Sequence, residues 1–191
     1  MRRRKKVRNP NALEQFRLAK ACASQREWAP AVDFYLRAIE LDPAFAEAHV
    51  NLGVLYGQMG EPYAGEALAC LRRGVELNRA SARGHYNLGV ALSKPTGRID
   101  DAIEAFEAAI AIDPSHKNAL YALAVQWNRK GDPVKAAVYH QWYQDAMAGN
   151  ATARAASSPP PRRASRAGAE SERRRERRRV ERPFLRIRFV R

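Results

Sequence analysis

Cysteine is scarce in this chain: Cys22 and Cys70 are its two thiols in 191 residues. So few, so far apart, cannot form a disulfide framework or a zinc site. They read as core-filling thiols in a reducing compartment, which points to the cytoplasm. Long apolar runs are missing too. Nothing approaches eighteen consecutive apolar residues, so no membrane span is expected. The basic start "MRRRKKVRNPNALEQF" is not followed by the apolar stretch of a secretory signal. No glycine-rich phosphate loop, nucleophile elbow or metal-ligand cluster occurs, so the chain is not expected to be an enzyme or to need a cofactor or metal. Acidic residues are sparse at both ends. Residues 1–10 carry six Lys/Arg and no acid, and residues 151–191 carry fourteen Arg against four Glu. With a formal total of +14, residues 11–150 sum to −2. The body is near neutral, and the basic character belongs to the ends.

What the body does have is a period. Residues 49–56 read "HVNLGVLY" and residues 85–92 read "HYNLGVAL", 36 positions apart. A Leu-small pair recurs at Leu18-Ala19, Leu52-Gly53, Leu88-Gly89 and Leu123-Ala124, with spacings of 34, 36 and 35. A second set follows each pair: Ala31-x3-Tyr35, Ala67-x3-Leu71, Ala102-x3-Phe106 and Ala136-x3-His140, spaced 36, 35 and 34. The variation in length falls in "GEPYAGEA" and "KPTGRIDDA", where Gly and Pro mark turns. A period near 35 with length changes confined to one turn signals stacked helical hairpins. At 100° per residue His49, Leu52, Gly53 and Tyr56 share one helical face. Small residues at Gly53, Gly89, Ala67, Ala102, Ala109 and Ala136 would let neighbouring helices approach. First helices are expected near 11–25, 44–58, 80–93 and 115–130, and second helices near 28–41, 63–78, 98–112 and 132–148. A hairpin of this kind cannot bury its apolar face alone, so the pairs must stack.

These positions resemble the tetratricopeptide repeat, whose pattern is W-x2-L-G-x2-Y, then A-x3-F, then P. The second repeat carries it as His49-x2-Leu52-Gly53-x2-Tyr56 and the third as His85-x2-Leu88-Gly89-x2-Leu92, while Pro43 and Pro114 close the first and third. Gln15, His49, His85 and Leu120 stand where the family has Trp, and Arg79 replaces one closing Pro. The resemblance implies an all-α solenoid of three full repeats plus a degenerate fourth. The solenoid would span 11–148, with repeats at about 12–45, 46–81, 82–116 and 117–148. It would follow a basic arm at 1–10 and precede a disordered Ala/Ser/Pro-rich linker at 149–170 and an Arg-rich tail at 171–191.

On this reading His49 and His85 are packing residues, not an acid–base or metal pair, since no carboxylate or thiol recurs with them. The opposite face of the first helices would line a concave groove. Its candidate ligand contacts are Arg17, Lys20, Asn51, Gln58, Arg83, Tyr86, Asn87, Lys94, Asn118, Tyr121 and Arg129. Five basic residues stand there against one acid, Glu47, and suggest an acidic peptide. Asn51 and Asn87 are similar to two rungs of the asparagine ladder in some grooves of the family, including those of O-linked N-acetylglucosamine transferases, where amides hold a peptide backbone. The family's carboxylate clamp fits less well: Asn51 matches and Arg83 is basic where Lys is usual, but Phe16, Lys20 and Asn87 differ. Arg173, Arg174, Arg175, Arg177, Arg178 and Arg179 are candidates for contacting RNA, DNA or another polyanion. The expected function is a non-enzymatic protein-interaction adaptor. The alternatives are a polyanion-associated protein acting through its ends, or a recruiting module for an enzyme on another chain, such as a glycosyltransferase.

Overall fold

The computed structural model describes residues 9–94 and 98–149. The basic arm through residue 8, and the linker and tail from residue 150 with their six candidate arginines, lie outside the described residues. Within them the chain forms eight α-helices: α1 Pro10–Ser24, α2 Trp28–Leu41, α3 Ala46–Met59, α4 Ala64–Leu77, α5 Ala82–Ser93, α6 Ile99–Ile112, α7 Lys117–Arg129 and α8 Pro133–Met147. A short 3-10 turn, Glu61–Tyr63, precedes α4. Helices pair as α1–α2, α3–α4, α5–α6 and α7–α8. Each second helix then packs on the next first helix, and α3, α5 and α7 lie side by side. This is the all-α hairpin solenoid. The fourth pair folds as fully as the others, with Leu120, Leu123, Tyr139 and Trp142 all buried.

The turns explain both the period and its deviations. Between repeats the same device recurs three times. The side chains of Asp42, Asn78 and Asp113 accept from the backbone N–H two residues on, at 3.2, 3.2 and 3.0 Å. Such Asx turns reverse the chain without proline. Arg79 can therefore replace the closing Pro of the second repeat, because Asn78 makes the turn. The same turns delay α3, α5 and α7 by two residues relative to the expected starts at 44, 80 and 115, since their backbone groups are already engaged. Within a repeat, Glu27 N–H bonds Cys22 C=O and Asp132 N–H bonds Trp127 C=O, at 2.9 and 3.0 Å. These bonds close a left-handed residue at the helix end, Arg26 (φ 62°) in the first hairpin and Gly131 (φ 83°) in the fourth. Side-chain caps from Asn9, Ser81, His116 and Asp132 start four of the helices.

The small residues set helix spacing. A Cβ on Gly53 would lie 2.7 Å from Leu71 Cγ and 2.9 Å from the Ala67 carbonyl; one on Gly89 would lie 2.6 Å from two ring carbons of Phe106. Both glycines are contact points between a first helix and its own second helix. Gly74 does the same on α4, where a Cβ would meet Val50 at 2.5 Å. Ala31, Ala102 and Ala109 are fully buried, whereas Ala136 is half-buried because α8 has no following helix among the described residues. The other end is also open: Leu18 is 41% exposed, while of its counterparts Leu52 and Leu123 are almost wholly buried and Leu88 is half-buried.

Candidate functional site

His49 and His85 are both half-buried and make the same bond. His49 Nε2 meets the Pro43 carbonyl at 3.2 Å, and His85 Nε2 meets the Arg79 carbonyl at 3.1 Å. The ring thus ties the start of a first helix to the turn that precedes it. Burial pushes the His49 pKa below the ordinary histidine range and the nearby Arg73 charge adds to this, while the Pro43 carbonyl partly opposes it. A neutral ring donating to a carbonyl is a scaffold element.

The inner side of the solenoid has two chemically different depressions. The first lies between α1, α2 and α3, is about 270 Å³, and is lined by Lys20, Tyr35, Asn51 and Gln58. Asn51 is not a free amide. Its Oδ1 accepts from Arg83 Nη2 at 2.6 Å across the repeat boundary. Burial raises the Tyr35 pKa, and a hydrogen bond to Asn51 and the Arg83 charge pull it partly back. The second depression, about 340 Å³, lies between the third and fourth hairpins, and Tyr86, Asn118 and Tyr121 line it. Asn87 is half-buried on α5 and makes no side-chain hydrogen bond to a described residue. Arg17 stands apart from both depressions, on the N-terminal half of α1 beside Pro10, Leu13, Glu14 and Leu18.

The other two basic candidates show a regularity that sequence reasoning missed. Lys94, at the end of α5, donates from Nζ to the Gly57 carbonyl in the last turn of α3, at 2.7 Å. Arg129, ending α7, donates to the carbonyl of Ser93, the last residue of α5, at 3.2 Å. The last four carbonyls of a helix lack intrahelical donors and carry the negative end of its dipole. Each cation therefore caps the preceding first helix. The signal was present in the sequence, as a Lys and an Arg 35 residues apart at the C-terminal ends of equivalent helices. Arg83, Lys94 and Arg129 all bond neutral oxygens. Among the described residues the ion pairs Arg73–Glu76, Lys130–Asp100 and Lys135–Asp132 involve other cations.

Cys70 packs against the buried cluster of Ala19, Ala31, Tyr35, Leu52 and Leu55, and burial pushes its thiol up to about 11, with Glu66 adding to the shift. It is not a thiolate nucleophile near neutral pH.

Two family models match, one described as TPR repeat over residues 19–60 and one as tetratricopeptide repeat over residues 96–151. The chain belongs to the tetratricopeptide repeat family. No curated protein matches it in sequence. Among solved structures it is similar to MamA, at 26% identity and a TM-score of 0.68, covering 75% of this chain and 83% of that one. A MamA structure from Desulfovibrio magneticus RS-1 shares 22% identity with a TM-score of 0.64, covering 72% and 76%. The first tetratricopeptide domain of Spaghetti (RPAP3), bound to the HSP90 peptide SRMEEVD, shares 18% identity with a TM-score of 0.61, covering 67% and 99%. At these identities the last two show the fold alone. No helix among the described residues is long and apolar enough to cross a membrane.

Proposed function

We propose that this tetratricopeptide protein is a non-enzymatic adaptor of the cytoplasm whose inner face binds an acidic peptide segment of another protein. One observation carries the reading. Arg83 and Lys94 at the two ends of α5 and Arg129 at the end of α7 are exposed and bonded to neutral oxygens, so three positive charges line one side, where Glu47 of α3 is the one acid expected from the sequence. Lys20 adds a fourth in the first hairpin. Four neighbouring cations raise the local concentration of an anionic partner and speed its encounter. A charge-assisted hydrogen bond contributes about 1.5–3 kcal/mol, less on an open surface, so a short peptide would bind in the micromolar range. The peptide on the Spaghetti domain is itself acidic, which supports the same ligand chemistry here.

Neutralisation tests this. In the full chain, Arg83→Gln, Lys94→Gln and Arg129→Gln together keep a donor at each latch and remove the charge. The variant should melt within a few degrees of the parent. Cross-linking with mass spectrometry on both proteins in native extract should map parent contacts to Asp/Glu-rich segments, and the variant should lose them. Identical cross-links from the variant, or contacts on segments without acids, would remove the groove charge from the function.

A further inference from the structure

The second depression is built differently from the rest of the inner face. One wall is the ring pair Tyr86–Phe106, with centroids 5.8 Å apart, and the other is Tyr121–Tyr143 at 5.5 Å. Val90 and Val125 fill the space between them. Tyr121 is 51% and Val125 37% exposed, a large apolar area left open beside a row of cations. Gln126 also lines the depression, although it is only 5% exposed. Its Oε1 accepts from Arg129 at 3.3 Å, and its amide nitrogen donates to no described residue. Among the described residues the buried side-chain polar atoms without a partner are Gln15 Oε1 and Trp127 Nε1, whereas the Gln126 amide nitrogen is reached by solvent and keeps a donor available to a ligand. The site thus offers an aromatic-walled socket with one inward-facing donor.

We infer that this socket takes one bulky apolar side chain of the ligand, best an aromatic, with the Gln126 amide donating to a ligand backbone carbonyl beside it. The inference rests on the acidic-peptide reading and specifies its sequence. Four rings around one cavity suit edge-to-face contact with a fifth, and about 340 Å³ is at the small end of ligand pockets, the size of a single anchor. Spacing follows from the solenoid. Arg83 works at the α3–α5 boundary and the socket at the α5–α7 boundary. Adjacent helices lie roughly 8–10 Å apart, and an extended peptide advances about 3.3 Å per residue. The acid that meets Arg83 and the anchor that enters the socket are therefore about three residues apart. The ligand is a short acidic motif with an aromatic anchor at fixed spacing.

The probe is a library of phage-displayed random dodecapeptides, panned on the full chain. Ala122, half-buried on the socket wall, is changed to Trp to plug it. Tyr121→Ser removes one exposed ring and serves as a second variant should the plug disturb folding. Selected sequences should combine Asp/Glu with Phe, Tyr, Trp or Leu two to four residues away. Their affinity should fall at least tenfold on either variant. Acidic sequences without a spaced anchor, binding the plugged chain equally, would overturn the socket and leave the acidic-groove reading standing. Anchored sequences free of acids would overturn both. A pool that does not distinguish parent from variants would also overturn the socket.

Discussion

The second and third repeats present nearly the same first helix, "HVNLGVLY" and "HYNLGVAL", to different neighbours. Their histidines behave alike, each tying its helix to the carbonyl six residues back. Their glycines both mark the closest helix contact, but Gly53 meets Leu71 and a backbone carbonyl, whereas Gly89 meets the ring of Phe106. Their asparagines part company. Asn51 is held by Arg83 of the next repeat; the residue equivalent to Arg83 one repeat later is Asn118, and Asn87 has no such partner. Positions that contact their own hairpin keep their role from repeat to repeat, while positions that face the adjacent repeat take their role from what stands there.

The largest expected effect separates the glycines. Leu at either position should cost on the order of 1–3 kcal/mol or more, since overpacking a dense contact displaces its neighbours, and coupling between repeats should spread the loss along the array. Ala is the sharper probe. Gly53→Ala meets main-chain atoms that no rotamer change can move, so it should destabilise at least as much as Gly89→Ala. Gly89→Ala should displace Phe106, a wall of the aromatic socket, and so lower ligand affinity where Gly53→Ala does not. Urea midpoints of the two single mutants decide the order. Unchanged stability in both would mean that the helix contacts are placed wrongly.

Why this much was legible follows from the same distinction. Helix phase, hairpin pairing and the packing glycines depend on contacts within about 35 residues, and the repeated Leu-Gly and Ala-x3-aromatic positions carry them. The Asx turns of Asp42, Asn78 and Asp113 are short-range too, but helical periodicity runs through them, so it places the starts of α3, α5 and α7 two residues before the backbone becomes helical. The site was less legible. That Lys94 and Arg129 cap the preceding helices, and that Asn51 is engaged, depends on which side chain of the next repeat reaches across. One residue's helical face does not contain that information.

A middle-sized effect tests whether the histidines are equivalent. His49→Ala and His85→Ala each lose a hydrogen bond, about 1 kcal/mol or less because it is exposed, plus the packing of a half-buried ring. The pH dependence of His49 has a definite sign. Its folded pKa lies below the ordinary value of about 6.5, so the unfolded chain binds the proton more readily. Its contribution is constant above that value and is lost as pH falls through about 6.5 toward the folded pKa. Urea midpoints at pH 7.5 and 5.5 should therefore differ more for the parent than for His49→Ala. An equal drop in both proteins would assign the pH dependence to other groups.

The smallest effect concerns the asparagines. Asn51→Ala removes the oxygen that holds Arg83 and leaves the Tyr35 phenol without that partner. Arg83 is exposed and can turn to water, so the loss should be only a few tenths to about 1 kcal/mol. Asn87→Ala removes a side chain with no described hydrogen bond, and its stability should match the parent within about 0.5 kcal/mol. In binding the order should reverse in character. Without Asn51 the Arg83 guanidinium loses its fixed position, so acidic ligands should bind more weakly and with a steeper salt dependence, as an oriented hydrogen bond is replaced by screened attraction. Asn87→Ala should weaken binding without changing that slope, because a lost amide–backbone contact is neutral. Titrating one acidic peptide against both mutants at two salt concentrations separates these outcomes. Equal slopes would mean that Asn51 does not orient Arg83 toward the ligand, and the 2.6 Å bond would then be a repeat-to-repeat tie alone.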